Sequence, residues 1–273
     1  MQASRRRAGC WHTPGVTSEA AFECPDLPDP GAVLAGTDWA SLEHAYGTAE
    51  DTPMILSTLL DDDQRVRSQA LDHLHYAVHH QNTLYSATVP AALYVAAVLT
   101  DPRTTAPVDK KPQDFPGPLR MELLGWLGSV AHEADDETEA ISRRHGFAAE
   151  DYPPILQVRQ IRPLLFAAVS ACIDDSDLHV REAAIAACIP LLDDPQLRHH
   201  RAELTPLVRE VLGASALWQY RERAIDALTA WGEDSTGLVG QQETFAVCDA
   251  QAQATLWSDG SSWEQGDTSD LPF

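Results

Sequence analysis

The chain has 273 residues, of which 44% are hydrophobic, and this is enough apolar content to build a substantial core. Its 41 acidic residues against 19 basic ones give a formal charge of −22, which disfavours nucleic acid as the main partner and favours a protein with a basic surface. The five cysteines form no C-x-x-C pair, so neither a disulfide framework nor a zinc site is expected. No segment has the length of a membrane span, and we expect a cytoplasmic protein that needs no cofactor.

The N-terminal part of the chain reads as a leader followed by one short helix. Residues 1–36 contain many prolines and glycines and show no sustained hydrophobic period, which predicts a disordered leader. Asp38 stands at a position typical of a helix N-cap, and Trp39, Leu42 and Tyr46 follow it with helical spacing. We therefore expect a short helix there that covers the end of the first repeat.

The stretch 53–80 has the pattern of two helices joined by an acidic turn. Apolar residues recur at helical spacing before Asp61-Asp62-Asp63, and the same period restarts at Val66. The turn and second helix have copies downstream, in which Val180-Arg181 matches Val66-Arg67, with further copies around Arg120 and Arg221. One helix pair cannot bury its apolar face alone, so the copies are expected to stack against one another.

This pattern of an apolar helix, Asp-x-Asp and then Val-Arg-x-x-Ala-(Leu/Ile) resembles the HEAT-repeat family. The residues that carry the resemblance are Asp61, Asp63, Val66, Arg67, Ala70 and Leu71, and again Asp175, Asp177, Val180, Arg181, Ala184 and Ile185. The resemblance implies an all-α fold, a right-handed α-solenoid of about four HEAT-like helix pairs over residues 37–232, with disordered termini. The run from His80 to Thr88 also resembles a segment of small bacterial HEAT-like proteins, many of them suspected immunity partners of toxins. Asn82 replaces the glycine expected there, and asparagine tolerates a left-handed conformation.

Two stretches interrupt the repeat pattern, near 101–118 and near 132–154. The first is rich in proline and contains Lys110 and Lys111, the only lysines of the chain. The second carries the acidic residues Glu133, Asp135 and Asp136, for which we expect a solvated helix end or a loop. Insertions in solenoids map to loops, often on the binding side, so these residues are candidates for partner contacts. Residues 233–273 are acidic and lack lysine and arginine, which predicts a disordered tail.

Further candidate site residues lie on the predicted helices. Trp218, Tyr220, Arg221 and Arg223 form a cluster of aromatic and basic side chains near the end of the repeats, and such residues dominate binding energy at interfaces. We expect Trp218 and Tyr220 to be exposed and Trp126 and Trp231 to pack in the core. Asp72, His75 and His79 are spaced to share one helical face and form a candidate metal site, although a surface histidine set explains them more simply.

The chain shows no glycine-rich phosphate loop, G-x-S-x-G or H-E-x-x-H motif. These observations favour a non-enzymatic protein-interaction scaffold, such as an immunity or inhibitor protein that binds and occludes a partner. A HEAT-like lyase or enzyme subunit acting on a small cofactor is the alternative, and it predicts a deep apolar pocket. A DNA-binding HEAT-like protein is a third hypothesis, in which Arg67, Arg120, Arg181 and Arg221 would supply a basic stripe.

Overall fold

The computed structural model describes residues 26–108 and 117–238, and these ranges are mostly helical. The α-helices are α1 (Pro30–Gly36), α2 (Thr52–Leu56), α3 (Gln64–His73), α4 (Thr88–Val98), α5 (Leu119–His132), α6 (Asp136–Arg144), α7 (Pro153–Ser170), α8 (Leu178–Leu191), α9 (Arg201–Leu207) and α10 (Trp218–Ala230). The π-helical segments Leu74–Val78 and Val208–Leu212 extend α3 and α9. Two short antiparallel strands, β1 (Glu43–His44) and β2 (Gly47–Thr48), form a hairpin. The predicted all-α class is thus confirmed.

The acidic turns of the sequence pattern work as helix caps. In the turn between α2 and α3, the Asp61 carboxylate accepts a hydrogen bond from the Asp63 backbone, and Asp63 accepts one from the first turn of α3. The turn between α7 and α8 repeats this arrangement with Asp175 and Asp177. Each carboxylate satisfies a backbone N–H that would otherwise have no partner at the start of a helix. The Asp-x-Asp pattern is therefore explained by chain geometry.

Two contacts between helices that are distant in the sequence organise the described part of the fold. α4 packs against α7, and α5 packs against α8 in the most extensive helix contact of the described ranges. The approach of α5 to α8 is close at Gly128, where an added Cβ would lie only 3.1 Å from Cα and Cβ of Ala187. One continuous core runs through these contacts, from Val33 on α1 to Leu228 on α10. Trp126 is fully buried in it, as expected, and Trp231 packs partly buried against it.

The beginning of the fold differs from the prediction in two places. Residues 30–36 were expected in a disordered leader, but they form α1, which the Asp29 carboxylate caps and which packs against α4. The helix expected from Asp38 to Tyr46 was also wrong. Only one 3₁₀ turn forms, because Asp38 makes no side-chain cap and the Trp39 indole donates to the Leu34 carbonyl instead. The chain then turns into the β1–β2 hairpin.

The two insertions and the tail are described in part. In the first insertion a 3₁₀ turn spans Pro102–Thr105, and Pro107 forms an isolated bridge with Pro118. The second insertion contains α6 and a 3₁₀ turn at Ala149–Asp151 before α7 begins. At the other end, Leu238 packs against the core, so the first residues of the predicted tail belong to the folded unit. Residues 1–25 and 239–273, for which we predict disorder, lie outside the described ranges.

Candidate functional site

The predicted aromatic and basic cluster on α10 is only partly exposed. Trp218 is 42% exposed, as expected. The expectation for Tyr220 was wrong, because its ring packs against the core and burial raises its pKa to about 12. Arg221 donates a 2.6 Å hydrogen bond to the Ser215 carbonyl, and burial lowers the pKa of Arg223. The cluster therefore presents mainly one ring to a partner.

The predicted acidic cluster separates into structural and pocket residues. Asp135 is buried, caps α6 by accepting from the Thr138 backbone, and makes a 2.6 Å contact with the His132 ring. Asp136 is exposed, and its backbone donates to Asp193 on the loop after α8. Glu133 is half-buried and lines a pocket next to the second insertion. Lys110 and Lys111 lie outside the described ranges.

The candidate metal residues Asp72, His75 and His79 do not come together. Asp72 and His75 are exposed, whereas His79 is buried with its ring edge against Trp126. The reason is the π-helical segment Leu74–Val78, in which the His79 backbone bonds to Leu74 five residues earlier. The four-residue spacing of an α-helical face therefore does not apply here.

A different group, His44, Asp51 and His73, is the one cluster in the described ranges that brings three potential ligand atoms within 4.8 Å. Hydrogen bonds already explain it. The His44 Nδ1 atom accepts from the Tyr46 backbone, so its Nε2 carries the proton and donates to Asp51. The His73 Nε2 atom faces the hydroxyl of Thr52 at 3.0 Å. A histidine that binds a metal through one ring nitrogen usually donates a hydrogen bond from the other. In His44, Nε2 points toward the cluster and Nδ1 accepts a hydrogen bond instead of donating one. This group therefore does not fit a metal site.

Two of the arginines that recur in the repeat, Arg67 and Arg120, bind the acidic turns. Arg67 is buried and donates to the carbonyls of Asp61, Asp62 and Pro107. Arg120 on α5 forms a 2.7 Å ion pair with Asp175 in the turn before α8. These two guanidinium groups face backbone and carboxylate oxygens of the protein itself, so Arg67 and Arg120 are not available to an exposed basic stripe.

A pocket of about 270 Å³ lies between the turn after α3 and the second insertion. The turn contributes Asn82, Thr83 and Leu84, and the insertion contributes residues of α6 and the segment that leads into α7. Two exposed rings stand at its rim, Phe147 at 54% and Tyr152 at 48% exposure. Their centroids are 6.4 Å apart in an edge-to-face arrangement. Aromatic rings that are exposed next to a pocket are typical of binding sites.

Local backbone geometry places both walls of the pocket. Gln81 and Asn82 have φ values of 48° and 60°, and the Thr83 backbone bonds to the His80 carbonyl, which is the pattern of a type I′ turn. The left-handed conformation expected for Asn82 is confirmed. On the other wall, Gly146 with φ of 86° follows α6 and turns the chain so that Phe147 reaches the rim. Glutamine is unusual at φ above zero, and strain of this kind clusters at functional sites.

The floor of the pocket carries a fixed charge network beside one free carboxylate. Arg159 on α7 donates to the carbonyls of Ala134 and Asp135 and pairs with Glu139, which also pairs with Arg143. Glu133 lines the same pocket half-buried, and its carboxylate has no hydrogen bond or ion pair to any residue of 26–108 or 117–238. Burial raises the pKa of Glu133, with His132 and Asp135 acting in opposite directions. The pocket therefore holds a carboxylate that makes no hydrogen bond or ion pair within the described residues.

Sequence reasoning identified the insertion but missed the residues that shape it. Phe147, Tyr152 and Arg159 were not among the candidates. Two aromatic residues within a polar, proline-containing insertion are the signal that was available, because such rings have no periodic apolar face to join. Arg159 has no comparable signal, since its role depends on two carbonyls that only the fold places next to it.

Comparison with protein-family models, with curated proteins and with solved structures finds no match to this chain. Among the described residues, no helix is both long enough and apolar enough to cross a membrane.

Proposed function

We propose that this chain is a non-enzymatic protein-binding scaffold of the immunity or inhibitor type, which binds a partner protein and occludes it in the cytoplasm. The observation that carries the proposal is the pair of exposed rings, Phe147 and Tyr152, at the rim of the pocket between the turn 81–84 and the second insertion. Large rings of this kind supply most of the energy of protein interfaces when a partner removes them from water.

In this proposal the stacked helix pairs form a right-handed HEAT-like solenoid. The repeated Asp-x-Asp caps and the contacts of α4 with α7 and of α5 with α8 support it. A solenoid provides a rigid surface, so binding requires little ordering of the chain and most of the contact energy is retained. The formal charge of −22 attracts a partner with a basic surface and increases its rate of encounter.

The segment from His80 to Thr88 supports the same site. Ser86 accepts a hydrogen bond from the Glu43 backbone, and the Thr88 hydroxyl donates to the Val78 carbonyl, so these two residues fix the segment to the fold. Asn82, Thr83 and Leu84 are left to line the pocket. A segment that is anchored at one end and presented at the other is suited to recognition.

The test is a pull-down from native lysate with the tagged full chain, read by mass spectrometry at low and moderate salt. The proposal expects one stoichiometric protein partner that the wild type retains and that the double variant Phe147→Ser and Tyr152→Ser loses. Leu178→Ser is the control, because Leu178 is also a large exposed apolar side chain, at 54%, but it does not line the pocket. Circular dichroism checks that each variant is folded.

Two outcomes contradict the proposal. A partner that Trp218→Ser releases, and that the double variant retains, would place the binding surface on α10 instead. The absence of any stoichiometric protein, together with a small molecule that co-purifies with the chain, would favour the enzyme hypothesis.

A further inference from the structure

The pocket between the turn 81–84 and the second insertion has the chemistry of a receptor for one basic side chain. We infer that it binds an arginine or lysine side chain of the partner protein, with the charged head on Glu133 and the aliphatic stem against Phe147 and Tyr152. This inference rests on the proposed protein-binding function and names the group that the site recognises.

The charge balance of the pocket selects a cation. Of the two glutamates that line it, Glu139 is already paired with Arg159 and Arg143, whereas the carboxylate of Glu133 makes no hydrogen bond or ion pair in the part of the chain that the structure describes and feels only the nearby charges of His132 and Asp135. Leaving a half-buried carboxylate unpaired is unfavourable, so a bound cation gains from pairing with it. A single free carboxylate is too few ligands for a divalent metal ion, which needs several oxygen donors.

The walls of the pocket select a cation with an apolar stem. Leu84, Ile155, Phe147 and Tyr152 line it. Arginine and lysine bury their methylene chains along such surfaces, and a guanidinium or ammonium group is attracted to aromatic faces. The volume of about 270 Å³ lies at the lower edge of the range for sites of drug-sized ligands, and it is large enough for one side chain.

The probe for the test is a blocked pentapeptide, acetyl-Gly-Gly-Arg-Gly-Gly-amide, titrated into the full chain. Binding is followed by the methyl resonances of Leu84 and Ile155, which line the pocket. The matched ligand contains citrulline in place of arginine, which retains the shape and removes the charge. We expect the arginine peptide to shift both methyl groups and to bind about tenfold more tightly than the citrulline peptide, as a charge-assisted hydrogen bond predicts.

Two variants assign the effect to Glu133. Glu133→Gln should weaken the arginine peptide about tenfold and leave the citrulline peptide unchanged. Glu137→Gln is the matched control, since Glu137 is on α6 and exposed but does not line the pocket, and it removes the same charge. Equal binding of both peptides, or equal weakening by both variants, would overturn the inference.

The basic segment Arg5-Arg6-Arg7 of this chain is an alternative occupant. If the triple variant Arg5→Gln, Arg6→Gln and Arg7→Gln binds the arginine peptide markedly more tightly than the wild type, the pocket is occupied by the chain itself, and the inference about a partner is wrong. An unchanged affinity supports it. The pull-down distinguishes failure of this inference from failure of the proposed function. If the partner is lost from the Phe147 and Tyr152 variant but retained by Glu133→Gln, the proposed function is supported and the inference about the basic side chain is wrong.

Discussion

Among single residues, His79 is expected to have a large effect on how stability depends on pH. Its ring is 6% exposed and contacts Trp126 edge to face, and its Nε2 atom has no hydrogen-bond partner in the described ranges. Burial, with a smaller effect of His75, lowers the pKa of His79 from 6.5 to about 4. Above pH 6.5 this histidine is neutral in both the folded and the unfolded protein, so the shift has no effect on stability there. As the pH falls from about 6.5 toward 4, the unfolded chain takes up a proton that the folded protein does not, and the unfolding free energy decreases.

Replacing His79 by phenylalanine should remove this sensitivity to acid. Between pH 7 and about pH 5 the wild type should lose about 2 kcal/mol more unfolding free energy than His79→Phe, since each unit of pKa shift corresponds to about 1.4 kcal/mol. Urea denaturation at the two pH values measures the difference, and the other titrating groups cancel in the comparison. His145→Gln, at an exposed histidine, should behave as the wild type does. If His79→Phe loses as much stability on acidification as the wild type, the buried histidine is not the cause.

Among the helices, the contact of α5 with α8 depends on a residue whose importance the sequence does not reveal. Gly125 and Gly128 lie three residues apart in the same apolar helix, and nothing in their spacing distinguishes them. In the structure nothing lies within 4 Å of an added Cβ at Gly125, whereas Gly128 faces the backbone of Ala187. Periodicity predicts α5 and α8 and their turns, but the distance between two helix axes depends on both partners together, so it is visible only in the fold.

Alanine at these two positions should therefore have opposite effects. Gly125→Ala should stabilise the protein by up to about 1 kcal/mol, because alanine favours the helix and its methyl group meets only solvent. Gly128→Ala should destabilise it by about 1–3 kcal/mol, because the buried backbone of α8 must move to admit the methyl group. Thermal or urea unfolding of both variants measures the two signs. Stabilisation by Gly128→Ala would show that α5 and α8 separate readily.

For the candidate site, the sequence predicts which segments take part, and the structure shows which side chains line the pocket. The insertion near 132–154 and the turn at Asn82 were both recognised from the sequence, and they form the two walls of one pocket. Glu133 and Asp135 look equivalent in the sequence, yet one lines the pocket and the other caps α6. That distinction depends on where the helix begins and which carbonyls Arg159 reaches, and neither is encoded in a short motif.

For the molecule as a whole, self-repulsion at a formal charge of −22 opposes the folded state. Added salt should therefore raise the thermal midpoint at pH 7.5 between about 20 and 200 mM NaCl, because the Debye length shortens from roughly 20 Å to less than 10 Å. Near pH 4.6, the isoelectric point, the repulsion is absent and the same increase in salt should have little effect or should lower the midpoint slightly by screening ion pairs. Differential scanning fluorimetry at the two pH values makes the comparison within one protein. An equal rise of the thermal midpoint at both pH values would indicate a general effect of salt on apolar burial. No rise at pH 7.5 would show that the acidic residues are too far apart in the folded chain to repel one another appreciably.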